Sequence, residues 1–214
     1  FIILNMSEEF KEIFFVVIQL GAILAVVCMF WGKMWPFQPK GRSVIKRGII
    51  SMWLKVAVAC IPGALVTILF DDYIEAHLHT PYVIAAALVV YGMAFIWIEN
   101  RNKRRKTGIN HLSDITYQMA LGIGLFQVLS IIPGTSRSGA TIIGALLIGV
   151  SRIAAAEFTF FLAVPVMFGL SGLKLLKFGL VFTEGELFAL LLGMAVAFIV
   201  SIFVIKFLMS YIKK

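Results

Sequence analysis

One arginine stands inside sequence that otherwise carries no charge. Residues Ile115 to Ser136 hold no charged side chain, nor do Ser138 to Ser151, so Arg137 interrupts an apolar run longer than one membrane crossing. A guanidinium at bilayer depth costs at least about 2.5–3.5 kcal/mol on insertion scales, so an arginine there marks a functional site. Its surroundings, Ile131 to Ile143, read I-I-P-G-T-S-R-S-G-A-T-I-I. Pro133 lacks an amide hydrogen and turns the residue before it away from helix, while Gly134 and Gly139 admit backbone angles that other residues avoid. A helix must break here. Behind the break, Ala140 to Val150 reads as a new helix, with Thr135, Ser136 and Ser138 as candidate N-caps. A helix N-terminus with free amides, flanked by hydroxyls and an arginine fork, is an oxyanion site, and phosphate is its best match. A simple kink, hydroxyls bonded to their own backbone and a snorkelling arginine explain these residues singly but not together.

Composition sets the class. Of the 214 residues 61% are hydrophobic and 14% charged, against roughly 25% charged in soluble domains, and the mean hydropathy is +0.99. The chain is therefore all-α and polytopic in a membrane. The net charge of +8 comes from short basic segments between apolar runs, which is the positive-inside pattern and argues against nucleic acid as a partner. Cys28 and Cys60 lie in apolar segments and read as buried thiols, not as a disulfide or metal ligands.

Five crossings follow in order: Ile13 to Gly32, Ile49 to Phe70, Pro81 to Ile98, Phe158 to Leu173 and Leu187 to Ile205. Lys33, Lys40, Arg42, Lys46 and Arg47 mark the first loop as cytoplasmic, with Trp31 and Trp35 at the boundary. Arg101, Lys103, Arg104, Arg105 and Lys106 mark the third loop likewise, and Lys206, Lys213 and Lys214 the chain's end. Lys55 is expected to snorkel, and Pro62 and Pro165 to kink their helices. Asp71 to Thr80 reads as an acidic loop, where His77 and His79 are solvated residues or, with Asp71, Asp72 or Glu75, metal ligands. Lys174, Lys177, Glu184 and Glu186 read as an outer loop, and Gly169 and Gly172 as close-packing positions. Arg152 and Glu157 pair or anchor the segment before them. Gln19 lines a cavity or bonds a neighbouring helix. Residues 115–150 remain: two limbs joined at Pro133, the second too short to span. They fit a re-entrant hairpin entering and leaving on the cytoplasmic side, within a single membrane domain of residues 1–214. Its tip must line a cavity, because non-helical backbone at that depth is tolerable only where buried or wet.

The stretch Q-M-A-L-G-I-G-L-F-Q-V-L-S-I-I-P-G-T-S-R-S-G-A-T-I-I after Tyr117, with G-V-S-R-I-A-A-A-E-F-T-F-F-L-A-V-P from Gly149, closely resembles the undecaprenyl-diphosphate phosphatase, or bacitracin-resistance protein, family. V-V-I-Q-L-G-A-I-L-A-V-V from Val16 resembles another segment of that family. The resemblance covers most of the chain. It implies an inverted-repeat helical bundle in the bacterial plasma membrane. The implied activity is hydrolysis of undecaprenyl diphosphate to the monophosphate, which recycles the lipid carrier of wall synthesis with help from a divalent cation, Mg2+ or Ca2+. On it Arg137 and Ser136 become catalytic, and Thr135, Ser138, Gly139 and Thr141 bind substrate. The family's earlier motif, with glutamates, a serine and a histidine that would supply metal ligands and proton transfer, is not found before the Val16 segment. Its closing helix is not found either, so the chain is expected to be truncated at both ends, and its metal ligands are not among the residues read here. The expected partners are a polyprenyl diphosphate lipid and the membrane, with a homodimer as a possible assembly. A transporter or flippase of a phosphorylated polyprenyl lipid is the competing reading, since broken helices and inverted repeats serve transporters equally.

Overall fold

A computed structural model describes residues 8–37, 46–78, 80–102, 108–178 and 182–212. Its long elements are α-helices: α1 (Glu8–Met34), α2 (Arg47–Leu78), α3 (Pro81–Asn102), α4 (Tyr117–Val128), α5 (Arg137–Ile148), α6 (Arg152–Phe178) and α7 (Glu184–Ile212). Five of them, α1, α2, α3, α6 and α7, are long and apolar enough to cross a membrane. These are the five expected crossings. At 12 residues each, α4 and α5 reach about 18 Å, well short of the ~30 Å hydrocarbon core.

The helices run further than the charge pattern suggests. Residues 71 to 78, read above as loop, continue α2 as far as Leu78, and Lys174 and Lys177 lie within α6. Charges alone do not stop a helix. What stops α2 is Pro81, which excludes Thr80 from helical geometry and then serves as the first residue of α3. Thr80 Oγ1 accepts the Val83 amide at 3.3 Å, capping the new helix. Pro62 and Pro165, by contrast, sit inside continuous α2 and α6. Lys40, Arg42, His79, the run Lys103 to Lys106, Lys213 and Lys214 fall outside the described residues.

The chain packs as two compact units. In the first, made of residues up to Trp35 and from Ala163 onward, α1 and α7 run side by side in the same direction. Phe10 meets Phe182 at one end, with ring centroids 6.4 Å apart, and Gly21, midway along α1, lies directly against the Met194 carbonyl. Lipid tails are as apolar as leucine, so close backbone approach of this kind, rather than a hydrophobic drive, holds membrane helices together. Phe10, Ile13, Phe14, Val17, Ala189 and Leu190 form the buried core between the two helices. Ser171 of α6, fully buried, donates to the Val16 carbonyl at 3.1 Å. Gln19 lies on the exposed face of α1. Trp31 and Trp35 stack at 4.6 Å at the basic end of α1.

The second unit, Pro36 to Leu162, holds α2, α3, the start of α6 and the hairpin of α4 and α5. The hairpin's limbs are antiparallel: Gly122 faces Ile148, and Gly144 faces Phe126. Its two feet are tied together, since Ile109 and Val150 form a parallel bridge and the Ser151 amide donates to the Ile109 carbonyl at 2.8 Å. Gly149, with φ of +98°, turns the chain out of α5 in the left-handed conformation usual at helix ends.

Candidate active site

The break expected at Pro133 is present, and its mechanism is visible in the backbone. After Val128 the chain tightens into a 3-10 turn, Leu129–Ile131, and Ile132 swings to an extended conformation ahead of the proline. Gly134 then takes φ of +91°. A Cβ there would stand 2.7 Å from the Ile84 carbonyl oxygen of α3, so both the turn and the close approach require glycine. Ile84 is near the start of α3, whereas Glu99, close to its other end, pairs with Arg152 just after the hairpin. The hairpin therefore lies along α3, with its feet at the basic end and its tip towards the opposite end.

Ser136 is the N-cap of α5: its hydroxyl accepts the Gly139 amide at 3.2 Å and lies 3.1 Å from the Ser138 hydroxyl. Both serines are exposed at the tip, while Arg137, the first helical residue, is half-buried between them. Gly139 is buried, and a Cβ there would press on the Phe95 ring and on Ser136. Thr135 Oγ1 is buried and faces the Tyr91 hydroxyl without a well-formed hydrogen bond. Thus Thr135, Ser136, Arg137, Ser138 and Gly139 come together around one helix N-terminus. A helix N-terminus, two accessible hydroxyls and a guanidinium can hold a phosphoryl group and neutralise charge that develops on it.

Thr141 is placed differently from the others. It is 1% exposed, and its hydroxyl is shared among the carbonyls of Arg137 and Ser138 and the Thr159 hydroxyl, all at 3.0–3.1 Å. In this arrangement it braces the first turn of α5 against α6 and does not open to the tip. Arg152 and Glu157, five apart in sequence, do not pair with each other. Arg152 bonds Glu99, while Glu157 is buried.

Gln127 was not singled out in the sequence, and Cys60 and Lys55 take places other than those expected of them. Cys60 of α2 lies within electrostatic range of Arg137, and Gln127 of α4 is 5% exposed. Lys55, expected to snorkel, is 8% exposed and donates to the Ser113 carbonyl at 3.2 Å, its ammonium 5.9 Å from the Tyr117 ring centroid. It thus grips the chain just where the hairpin begins. Gln127 carried a usable signal, being a polar residue inside the same charge-free run as Arg137.

Among the described residues no group of three or more His, Cys, Asp or Glu side chains comes together, and His77 is exposed. The tip offers an arginine, hydroxyls and amides. That donor set suits an anion and does not fit a divalent cation, which takes several carboxylate or carbonyl oxygens.

The sequence profile described as Bacitracin resistance protein BacA matches residues 2–214. Among curated relatives, a protein of Enterococcus faecalis named undecaprenyl-diphosphatase is 71% identical over all of this chain and 78% of its own length. Proteins of the same name from Lachnoclostridium phytofermentans and Desulfitobacterium hafniense are 60% and 58% identical, again over the whole chain and over 78% and 77% of their own lengths.

Proposed function

The chain belongs to the bacitracin resistance protein family, BacA, and from that premise we propose a specific division of labour at its hairpin. The protein is a multi-pass membrane phosphatase that hydrolyses undecaprenyl diphosphate to undecaprenyl phosphate and inorganic phosphate. In the proposed arrangement, the terminal phosphoryl group binds at the tip. Arg137 forks two of its oxygens, and Ser136, Ser138 and the first amides of α5 hold the rest. Donors fixed before the reaction begins need no reorganisation as charge moves onto the phosphoryl oxygens, which is where such a site gains its rate. Thr135 and Gly139 shape the turn that presents them, and Thr141 holds that turn in register. The observation that carries this reading is the coincidence of Arg137, Ser136 and Ser138 at one helix N-terminus.

The hairpin is proposed to be re-entrant. Support comes from its tied feet, its limbs too short to span, and the approach of its tip to Ile84. A lipid tail can then stay among the acyl chains while its diphosphate reaches a polar tip. A divalent cation, Mg2+ or Ca2+, is proposed to assist by screening the diphosphate. The described residues provide no cage for it, so every role given above belongs to Arg137, the hydroxyls and the amides. The bacterial plasma membrane is the proposed location, supported by the five apolar helices and the bacterial relatives.

The test is phosphate release from a polyprenyl diphosphate by purified protein, with Mg2+ or Ca2+ and with chelator, beside Arg137→Ala and Arg137→Lys. Removing one preorganised donor from such a site costs on the order of 10²–10³ in kcat. Both variants should lose at least that much while inserting and purifying normally, because lysine keeps the charge but not the fork. Near-normal turnover in Arg137→Ala would sink the assignment. A folded wild type that releases no phosphate would favour the flippase.

A further inference from the structure

On one side of the hairpin tip, the Ser136 hydroxyl caps α5 by accepting the Gly139 amide. On the other, the Thr141 hydroxyl lies 3.1 Å from the Arg137 carbonyl and 3.0 Å from the Ser138 carbonyl. Arg137 and the serine after it are thus gripped through their own backbone. Thr141 does not act alone. Its hydroxyl also lies 3.0 Å from that of Thr159, which is 4% exposed on the stretch of α6 that packs in the same unit. Each hydroxyl has a single hydrogen to give, and a carbonyl can only accept. If Thr141 turned its hydrogen to Thr159, its lone pairs would face two carbonyl oxygens at 3.0–3.1 Å. The hydrogen therefore points back to the carbonyls, and Thr159 is the donor to Thr141. A threonine in a helix divides between two χ1 rotamers, and a donor fixed on α6 selects one of them. Among the buried Phe158, Phe161 and Leu162, valine would fill the volume of Thr159 as well, and only the hydroxyl supplies this bond.

We propose that Thr159 is a positioning residue for Arg137. It donates to the Thr141 hydroxyl, which donates in turn to the Arg137 and Ser138 carbonyls, and this relay sets the backbone from which the guanidinium projects. Ser136 fixes the turn from its amide side, and the threonine pair fixes it from its carbonyl side. In this way α6 takes part in aiming the arginine fork, although nothing on it need touch the phosphoryl group.

The inference rests on the phosphatase reading, and one set of assays separates the two. Thr159→Val keeps the shape and removes the hydroxyl, whereas Thr159→Ser keeps the hydroxyl and removes a methyl. Thr159→Val should lower kcat about tenfold, the rate equivalent of one lost hydrogen bond, and change KM little. Thr159→Ser should turn over at nearly the wild-type rate, even though the lost methyl lowers its thermal midpoint in detergent. A role in packing alone reverses that order, leaving valine near normal and serine impaired. Thr159→Ala lacks both groups and should match Thr159→Val in kcat, which keeps the test open if the valine variant purifies poorly. In a Thr141→Val background, where no hydroxyl receives the bond, Thr159→Val should have little further effect on kcat, the non-additivity expected of coupled groups. Wild-type kcat in Thr159→Val and Thr159→Ala, an impaired kcat in Thr159→Ser, or a loss just as large in the Thr141→Val background would overturn the assignment of Thr159 alone. Wild type that releases no phosphate would overturn the phosphatase reading and this one with it.

Discussion

At the tip of the hairpin, Gly134 combines φ of +91° with a neighbouring backbone carbonyl at 2.7 Å from any Cβ. Alanine there meets both a rare conformation and a group that cannot swing away. Left-handed strain of this kind costs of order 1–3 kcal/mol. Gly134→Ala should therefore lower the unfolding midpoint in detergent and disturb activity together. Gly139→Ala meets the edge of a ring instead, and should cost less on both measures. Single residues also show what a sequence makes legible. Arg137 and its hydroxyls stand out because charge is improbable in apolar sequence. Thr141 reads as one of the same set, but its burial against Thr159 is a product of how α6 packs, and spacing within the motif carries no trace of that. Gln127 is as improbable in its surroundings as Ser136, yet lacks the charge that draws attention.

At the level of elements, the hairpin is held at its entry by a lysine. Lys55→Met would leave the Ser113 carbonyl without its donor and remove the ammonium from the Tyr117 ring. The bond is only part-buried and its carbonyl can turn to water, so its loss should cost about 0.5–1.5 kcal/mol and lower the unfolding temperature slightly. Its phosphate release should fall less than that of Arg137→Ala, because the lysine lies at the foot of the hairpin and the chemistry at the tip. The ion pair of Arg152 with Glu99 sits at the same end but is exposed on both sides, and pairs of that kind are worth only about 0.2–1 kcal/mol. The five crossings and the broken helix were legible because length, hydropathy and Pro-Gly each act locally. The ends of α2 and α6 were not, because acidic and basic residues are tolerated in a helix wherever it leaves the lipid. Likewise Lys55 found a carbonyl contributed by a segment 58 positions away, a partner that no local pattern announces.

For the whole molecule, the basic segments predict which end faces the cytoplasm, and the hairpin's feet lie at that end. In a variant lacking Cys28 and Cys60, a membrane-impermeant maleimide should therefore label Ser138→Cys from outside intact cells. His111→Cys, beside the feet, should react only after permeabilisation. Labelling of both from the same side would contradict a re-entrant path. The Ile109–Val150 bridge has one more consequence. It clamps the hairpin at its own base, so the two limbs hold their register against each other from within the hairpin. Gly108, next to the clamp, is exposed and has open space where a side chain would be. The catalytic limb is thus a cassette with its own lock, and Gly108, just outside that lock, is where evolution or an engineer can add a side chain without retuning the tip.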